Sequence, residues 1–448
     1  MVALPAEPDG IPMAYVIGYA AVLALAAADG ARRALRTPLG VARLRSGLAV
    51  ILGLVLLLVP AGGAYAYDAA HDEAVEKMLL ERLDKADKVV DRAEAKTFAK
   101  SEKDYTRALG TYGELGEDHA GSRAADRVPD SLDALYKAVA QPYTERAYCE
   151  AVEPLKYLRT VPKKVDEDVL GKLAKWPDER LATSFYECGM SELGSADEGG
   201  GSDGGGGSLA ELLSTFPESK QADKVEPDIR AEIDSRVEEL KGSDPCEVTE
   251  GLRNIGKTVG GLPPDASEAL SKESDSSVEK GVFACGVDQF KDKDFEAARA
   301  TMDDYAKTYP DSGRHGWAKD IATAAEIAKV KASAGSRLPP ERAPGGKRTV
   351  FLVLNDSPES GQMLYTGPMT GTADLKACGS CKVYPTRKAS DDKSCSADLK
   401  KYPKVELRLT PGTYHFLSKR GGDGYGDEVS TVRVPGDTIG LCSTIYEK

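Results

Sequence analysis

Four cysteines stand in the last part of the chain: Cys378, Cys381, Cys395 and Cys442. Three chemistries use such a set. As thiolates they would hold a tetrahedral zinc, although Cys395 and Cys442 lie far apart and lack the close spacing of a second metal knuckle. Cys378-Gly-Ser-Cys381 also has the spacing of a dithiol redox pair, which is activated when its first cysteine sits at a helix N-terminus. The flanking Thr372-Ala-Asp-Leu and Lys382-Val-Tyr suggest strands instead. Two structural disulfides are the default reading, with three possible pairings among which the sequence does not choose.

The other four cysteines keep a register. Cys149 and Cys188 are 39 residues apart, and Cys246 and Cys285 repeat that interval 97 residues later. Cys149-Glu-Ala-Val-Glu-Pro-Leu155 returns as Cys246-Glu-Val-Thr-Glu-Gly-Leu252, and Cys188-Gly189 returns as Cys285-Gly286. Ser122-Arg-Ala-Ala-Asp-Arg-Val128 matches Ser219-Lys-Gln-Ala-Asp-Lys-Val225 at the same offset. This is an internal duplication. Within each copy the cysteines fall near the start of one predicted helix and near the end of the next, ends that lie side by side in an antiparallel hairpin. Disulfides Cys149–Cys188 and Cys246–Cys285 would each close a loop of about 40 residues and contribute roughly 2 to 4 kcal/mol. Regularly paired cysteines belong to an oxidising compartment.

Other chemistry has little footing. Gly251-Leu-Arg-Asn-Ile-Gly256-Lys257-Thr258 fits the phosphate-binding loop pattern letter by letter, yet such a loop must follow a buried strand. Here Cys246-Glu-Val-Thr-Glu250 precedes it, and the aligned copy, Pro154-Leu-Lys-Tyr-Leu-Arg-Thr160, keeps only the apolar positions of a helix core. His71, His119, His315 and His415 are scattered, and no nucleophile elbow or zinc-binding His-Glu-X-X-His helix occurs. Asp423, Asp427 and Glu428 lie in a glycine-rich loop, where they could touch calcium, but their spacing fits no EF-hand. The expectation is a protein that is not an enzyme, with no catalytic residue, no metal and no cofactor or nucleotide.

The elements that carry these residues are helical up to about Lys331. Val75, Leu79, Leu83, Ala86, Val90 and Ala93 recur every three or four residues, one apolar stripe on a long charged helix. That helix is either a stalk or the first helix of the repeat region. Phe295, Ala298, Met302, Tyr305 and Tyr309 form a second stripe, ended by Tyr309-Pro-Asp-Ser312, with Ser312 as the next N-cap. Phe216-Pro-Glu-Ser219 repeats this punctuation. The segment from Ala284 through Lys291-Asp-Lys-Asp-Phe-Glu-Ala-Ala-Arg299 to Ser312 resembles a tetratricopeptide repeat: a helix, a polar turn, a second helix opening on an aromatic and small residues, then a terminal proline. The period of 97 residues departs from that family's 34, and the cysteine pairs are foreign to it. The resemblance implies stacked helix hairpins that present a surface to a protein partner. Gly199 to Ser208 is a glycine-rich insertion read as a surface loop, and Ser208-Leu-Ala-Glu211 as a capping box.

Ser336 to Gly346 reads as a linker by its proline and glycine content. Beyond it the apolar period shortens to two, in Thr349–Leu354, Met363–Tyr365, Val405–Leu409, Thr413–Leu417 and Thr431–Val434, which predicts a β-sandwich. Leu409-Thr-Pro-Gly-Thr-Tyr414 is similar to the strand-turn-strand element of small extracellular immunoglobulin-like modules.

At the other end, two apolar runs, 11–28 and 47–67, flank Arg32, Arg33, Arg36, Arg43 and Arg45. They predict two transmembrane helices with an arginine-rich cytoplasmic loop, so that the bulk of the chain faces outward. The competing reading is a cleavable signal ending at Ala64-Tyr-Ala66. The net charge is −13, and because 1–67 contributes +2, the remainder carries −15 and disfavours nucleic acid as a partner. The expected architecture is a multidomain chain: 1–67 a membrane anchor with two transmembrane helices, 68–335 an α-helical tetratricopeptide-like repeat domain, 336–346 a linker and 347–448 an all-β sandwich. Its two-span layout and Ala- and Gly-rich composition suggest a bacterial cell-membrane protein with most of its length extracellular. The expected function is a noncatalytic scaffold that binds a protein partner or an envelope component through helical repeats. The alternatives are a thiol-disulfide oxidoreductase using Cys378 and Cys381, and a glycan-binding module using Tyr365, Tyr384, Tyr402 and Tyr425.

Overall fold

The computed structural model describes residues 70–194, 207–242, 244–396, 399–420, 429–435 and 440–446, with part of 21–33. The described residues are mostly helical up to Val330, and a β-sheet region follows. Two compact units account for the whole: 1–145 with 153–177, and 146–152 with 178–448.

The expectation of two transmembrane helices is overturned. No helix among the described residues is long and apolar enough to cross a membrane. Most of the run 11–28 and all of 47–67 lie outside the described residues. What is described of 21–33 is exposed and helical, and it carries Asp29 paired with Arg33 at 3.1 Å, side chains suited to water.

In the first unit, α1 (70–94) buries Leu79, Leu83, Ala86, Val90 and Ala93, the stripe its sequence spells out. Its partner α2 (Phe98–Glu117) brings Tyr105, Leu109, Tyr112 and Leu115 to the same core. Tyr112 donates to Asp87 Oδ1 at 2.8 Å, and Arg82 reaches Glu114 at 2.7 Å across the pair. Thus α1 packs as a member of the helical region. A third helix, α3 (Val128–Val139), adds Leu132, Leu135 and Tyr136, whose ring meets Trp176 edge-on at 5.8 Å.

The boundary between units falls inside α4 (Tyr148–Leu158) and at the start of α5 (Trp176–Glu192). The second unit continues with α6 (Gly207–Thr215), α7 (Ala222–Glu239), α8 (Pro245–Gly260), α9 (Pro264–Lys291), α10 (Phe295–Thr308) and α11 (His315–Val330). Starts are written in short polar side chains. Asp244 accepts from Glu247 N at 3.1 Å to open α8, and Asp294 accepts from Ala297 N at 3.1 Å to open α10. The serine punctuation recurs three times: Ser122 accepts from Ala125 N, Ser219 from Ala222 N and Ser312 from Arg314 N.

Among the described residues seven strands follow: β1 (Thr349–Asp356), β2 (Gly361–Thr366), β3 (Gly371–Leu375), β4 (Lys404–Leu409), β5 (Gly412–Arg420), β6 (Val429–Val434) and β7 (Gly440–Thr444). They form a three-stranded sheet, β4-β1-β7, and a four-stranded sheet, β3-β2-β5-β6. Between the sheets lie Phe351, Val353, Leu407 and Leu409 from one side and Met363, Leu375, Tyr414 and Phe416 from the other; Phe351 stacks on Phe416 at 5.2 Å. An immunoglobulin constant domain puts its first, second, fifth and fourth strands in one sheet. Here the first strand sits between the fourth and the seventh, so the strand order departs from the immunoglobulin one. The resemblance at 409–414 is local: Tyr414 donates to the Thr410 carbonyl at 3.0 Å, a tyrosine folding back on the turn before it. Thr372–Leu375 is a strand as expected, whereas Lys382–Tyr384 is not; only Tyr384 makes a single bridge, to Tyr446.

The four-stranded sheet has a second buried face. Leu364 on β2 and Leu417 on β5, opposite one another in register, pack with Ile327 of α11 and with Ala334. Residues 336–339 also bind back, since Leu338 packs beside the helical core and Trp317 donates to the Pro339 carbonyl at 3.0 Å. Glu326 on α11 closes the junction between Arg299 of α10 at 2.8 Å and Lys419 of β5 at 2.7 Å. Burial pushes its carboxyl up, but Lys419, Arg299 and Lys329 outweigh that and hold it below the usual range.

Candidate functional site

All eight cysteines are paired, as Cys149–Cys188, Cys246–Cys285, Cys378–Cys381 and Cys395–Cys442. The first two join matching points: α4 to α5, and α8 to α9, with Cα separations of 4.8 and 4.5 Å. The residue after each second cysteine explains the retained Cys-Gly dipeptide. A Cβ on Gly189 would stand 2.5 Å from Leu209 of α6, and one on Gly286 would stand 2.7 Å from Met302 of α10. The cysteine therefore ties its helix to the one before, and the glycine seats a side chain of the one after. One dipeptide fixes both neighbours of a hairpin, and the duplication uses it twice.

Around this frame the surface is polar. Among the described residues of the second unit, the exposed large apolar side chains are Val330 and Val350. The outer faces carry carboxylates and cations: Arg230 reaches Glu226 at 2.7 Å and Glu273, linking α7 to α9. Under Ser312, Tyr305 donates to Glu279 Oε1 at 2.9 Å and the serine hydroxyl donates to the same oxygen at 2.6 Å. Burial, aided by Glu279 and opposed by the Ser312 hydrogen bond, pushes the Tyr305 phenol up to about 12, so it stays a donor.

The four histidines, all among the described residues, lie on separate elements. His71 lies on α1, His119 in the turn after α2, His315 at the start of α11 and His415 on β5. His415 pairs with Thr431 Oγ1 at 2.9 Å, and burial together with Lys331 lowers its pKa. The glycines of the phosphate-loop look-alike lie inside α8, where Gly256 faces Ser274 of α9, so the segment is helix packing rather than an amide cradle. Two groups of three potential ligands exist among the described residues, Cys149, Cys188 and Glu192, and Asp356, Cys395 and Cys442. Each contains both sulfurs of a disulfide, which are not thiolates, so neither fits a metal. Asp423, Asp427 and Glu428, together with most of the glycine-rich insertion and Tyr425, lie outside the described residues.

The two C-terminal disulfides belong to a different arrangement, the connection from β3 to β4 (376–403). It gathers around the end of β1. Asn355 N donates to the Pro403 carbonyl at 2.9 Å, and Asn355 Nδ2 donates to the Lys376 carbonyl at 2.8 Å. Asp356, 4 % exposed, accepts from Tyr384 at 2.6 Å and from Cys395 N at 2.9 Å, while Cys378 N donates to the Ser357 carbonyl at 2.9 Å. A short helix, α12 (Arg387–Lys393), opens on Thr386, whose hydroxyl accepts from Ala389 N at 3.2 Å. Cys442 on β7 then pins Cys395. Sequence reasoning could not find this pairing, because only the parallel placement of β7 beside β1 brings Cys442 to the connection.

No protein-family model, no curated protein and no solved structure matches this chain.

Proposed function

We propose that this protein is a noncatalytic scaffold of an oxidising, extracytoplasmic compartment, and that its helix hairpins, tetratricopeptide-like in plan, bind a protein partner. The observation that carries the reading is the repeated Cys-Gly device, which spends two disulfides and two close helix contacts on holding successive hairpins in fixed register. Repeated hairpins present an extended binding face without requiring chemistry at any one residue. The polar character of the second unit's surface favours a partner held by charge and hydrogen bonds over a permanent apolar interface.

Amine-reactive crosslinking in intact cells, followed by mapping of the linked lysines, tests this. A reproducible partner joined through lysines of 101–331 is the expected result, and its yield should fall when Cys246 and Cys285 are both replaced by serine. Crosslinks confined to other parts of the chain would overturn the assignment to the hairpins.

The oxidoreductase reading rests on Cys378–Cys381, whose second cysteine is partly exposed. Their segment is a turn after β3, without the helix N-terminus that would lower a thiol's pKa, which favours it less. Sugar binding is likewise less favoured, since Tyr365 packs beside the sandwich core and Tyr384 is tied to Asp356.

A further inference from the structure

The charge of the chain is unevenly placed. Although the whole carries −13, residues 347–448 hold 15 Lys and Arg against 12 Asp and Glu. The excess is concentrated in 376–404, whose sequence has Lys376, Lys382, Arg387, Lys388, Lys393, Lys400, Lys401 and Lys404 against Asp391, Asp392 and Asp398; Arg387 pairs with Asp391 and Lys404 with Glu406. All eight basic residues are exposed. Their backbone is gathered on one place by the hydrogen bonds described above, in which Asn355, Asp356 and Ser357 collect the chain at 376, 378, 384, 395 and 403. Among the described residues, Lys376, Lys382, Lys388, Lys393 and Lys401 make no ion pair. A connection of this length without a long element of its own is uncommon and usually functional. Here two disulfides hold it in one shape.

We infer that this disulfide-stapled basic connection is a binding site for an anionic phosphodiester polymer of the cell surface. The residue types choose the ligand. Seven of the eight cations are lysines, compact and mobile point charges that follow a repeating phosphate backbone, whereas protein interfaces are depleted in lysine and enriched in arginine and exposed aromatics. The two nearby tyrosines are not free for stacking on bases or sugars: Tyr384 is committed to Asp356, and Tyr402 is half-buried. The choice of a surface phosphodiester polymer over nucleic acid rests on the oxidising, extracytoplasmic compartment proposed above, to which paired cysteines belong. Binding here is independent of the partner proposed for the helix hairpins.

The test uses the full chain with synthetic poly(glycerol phosphate) as the probe, single-stranded DNA and neutral dextran beside it, over a series of salt concentrations. The expected result is binding of poly(glycerol phosphate) that weakens steadily with salt, no binding of dextran, and a loss of roughly tenfold or more in the triple variant Lys382→Gln, Lys388→Gln, Lys401→Gln, with a shallower salt slope. These side chains are exposed, so the fold does not depend on them. A control triple variant of equal charge, Lys103→Gln, Lys272→Gln, Lys280→Gln, should bind as the parent does. Equal losses in both variants would reduce the effect to net charge and overturn the site. Absence of binding at low salt would overturn it as well, and binding of DNA but not of poly(glycerol phosphate) would overturn the source assigned. Salt-sensitive self-association of the chain alone, abolished by the first triple variant, would assign the patch to a second copy and overturn the polymer.

Discussion

Helix α9 has two sides of different build. Toward α8 it presents small residues: Gly281 faces Thr249, where a Cβ would stand 2.7 Å from the hydroxyl, and Ser274 faces Gly256, where a Cβ would stand 3.1 Å from the serine hydroxyl. Toward α10 and α11 it presents rings. Phe283 meets Tyr305 at 5.3 Å and Trp317 at 5.0 Å, and Phe290 meets Phe295 at 5.3 Å. The disulfide Cys246–Cys285 stands on the first side, and the second has none. Small side chains let axes approach but bury little apolar area, and large rings bury 150–250 Å² each. The covalent link thus stands on the side of small residues and close approach, and it is absent on the side of the rings.

Phe290, fully buried, carries the largest effect. Its replacement by alanine should cost about 3 to 5 kcal/mol, read as loss of hydrogen-exchange protection in α9, α10 and α11. A cost smaller than that of removing the disulfide would break the comparison. Replacing Cys246 and Cys285 together by serine should cost roughly 2 to 4 kcal/mol, with α8 losing protection before α10 and α11. Equal loss throughout would show that the two sides of α9 open as one.

The smallest effect concerns Asp320, on α11 near Tyr365 of β2. Burial raises its carboxyl from 3.8 to about 6. A folded pKa above the unfolded one means that ionisation opposes folding: the penalty is absent below pH 4, grows as pH rises through 6 and is complete above it. Asp320→Asn should therefore stabilise the second unit by on the order of 1 to 2 kcal/mol at pH 8 and leave it unchanged near pH 3, measured by denaturant midpoints at the two pH values. A gain of the same size at both pH values would place its origin in packing.

Local signals were legible in the sequence because they are local. The stripe from Leu79 to Ala93 is the buried face of α1, whereas Ser312, expected as an N-cap, lies in the turn before α11, whose N-cap is Arg314; Ser219 and Ser312 accept backbone hydrogen bonds within those turns. The Cys-Gly repeat marked the two hairpins, although what the glycine does needed Leu209 and Met302 in place. The pair α10 with α11 lacks the cysteines, and its serine, Ser312, follows Ser219 by 93 residues instead of 97, so the 97-residue register does not extend to it. Strand order was illegible for a different reason: alternation tells which face a residue occupies but not which strand lies beside it. That gap hid both the position of β1 between β4 and β7 and the Cys395–Cys442 pairing. The basic cluster was masked by averaging, since a chain of −13 reads as acidic throughout.

Because β2 and β5 bury Leu364 and Leu417 against α11, the sheet region is not a bead on a string. Residues 340–348 are exposed and include Arg342, Lys347 and Arg348, so a trypsin-like protease meets an open target there. A cut at that point severs one peptide bond and leaves the shared apolar seam, the Glu326 ion pairs and the Lys331 to Thr431 hydrogen bond untouched. The two fragments would stay together in native conditions and part only when denatured, so that releasing the sheet region takes unfolding as well as cleavage.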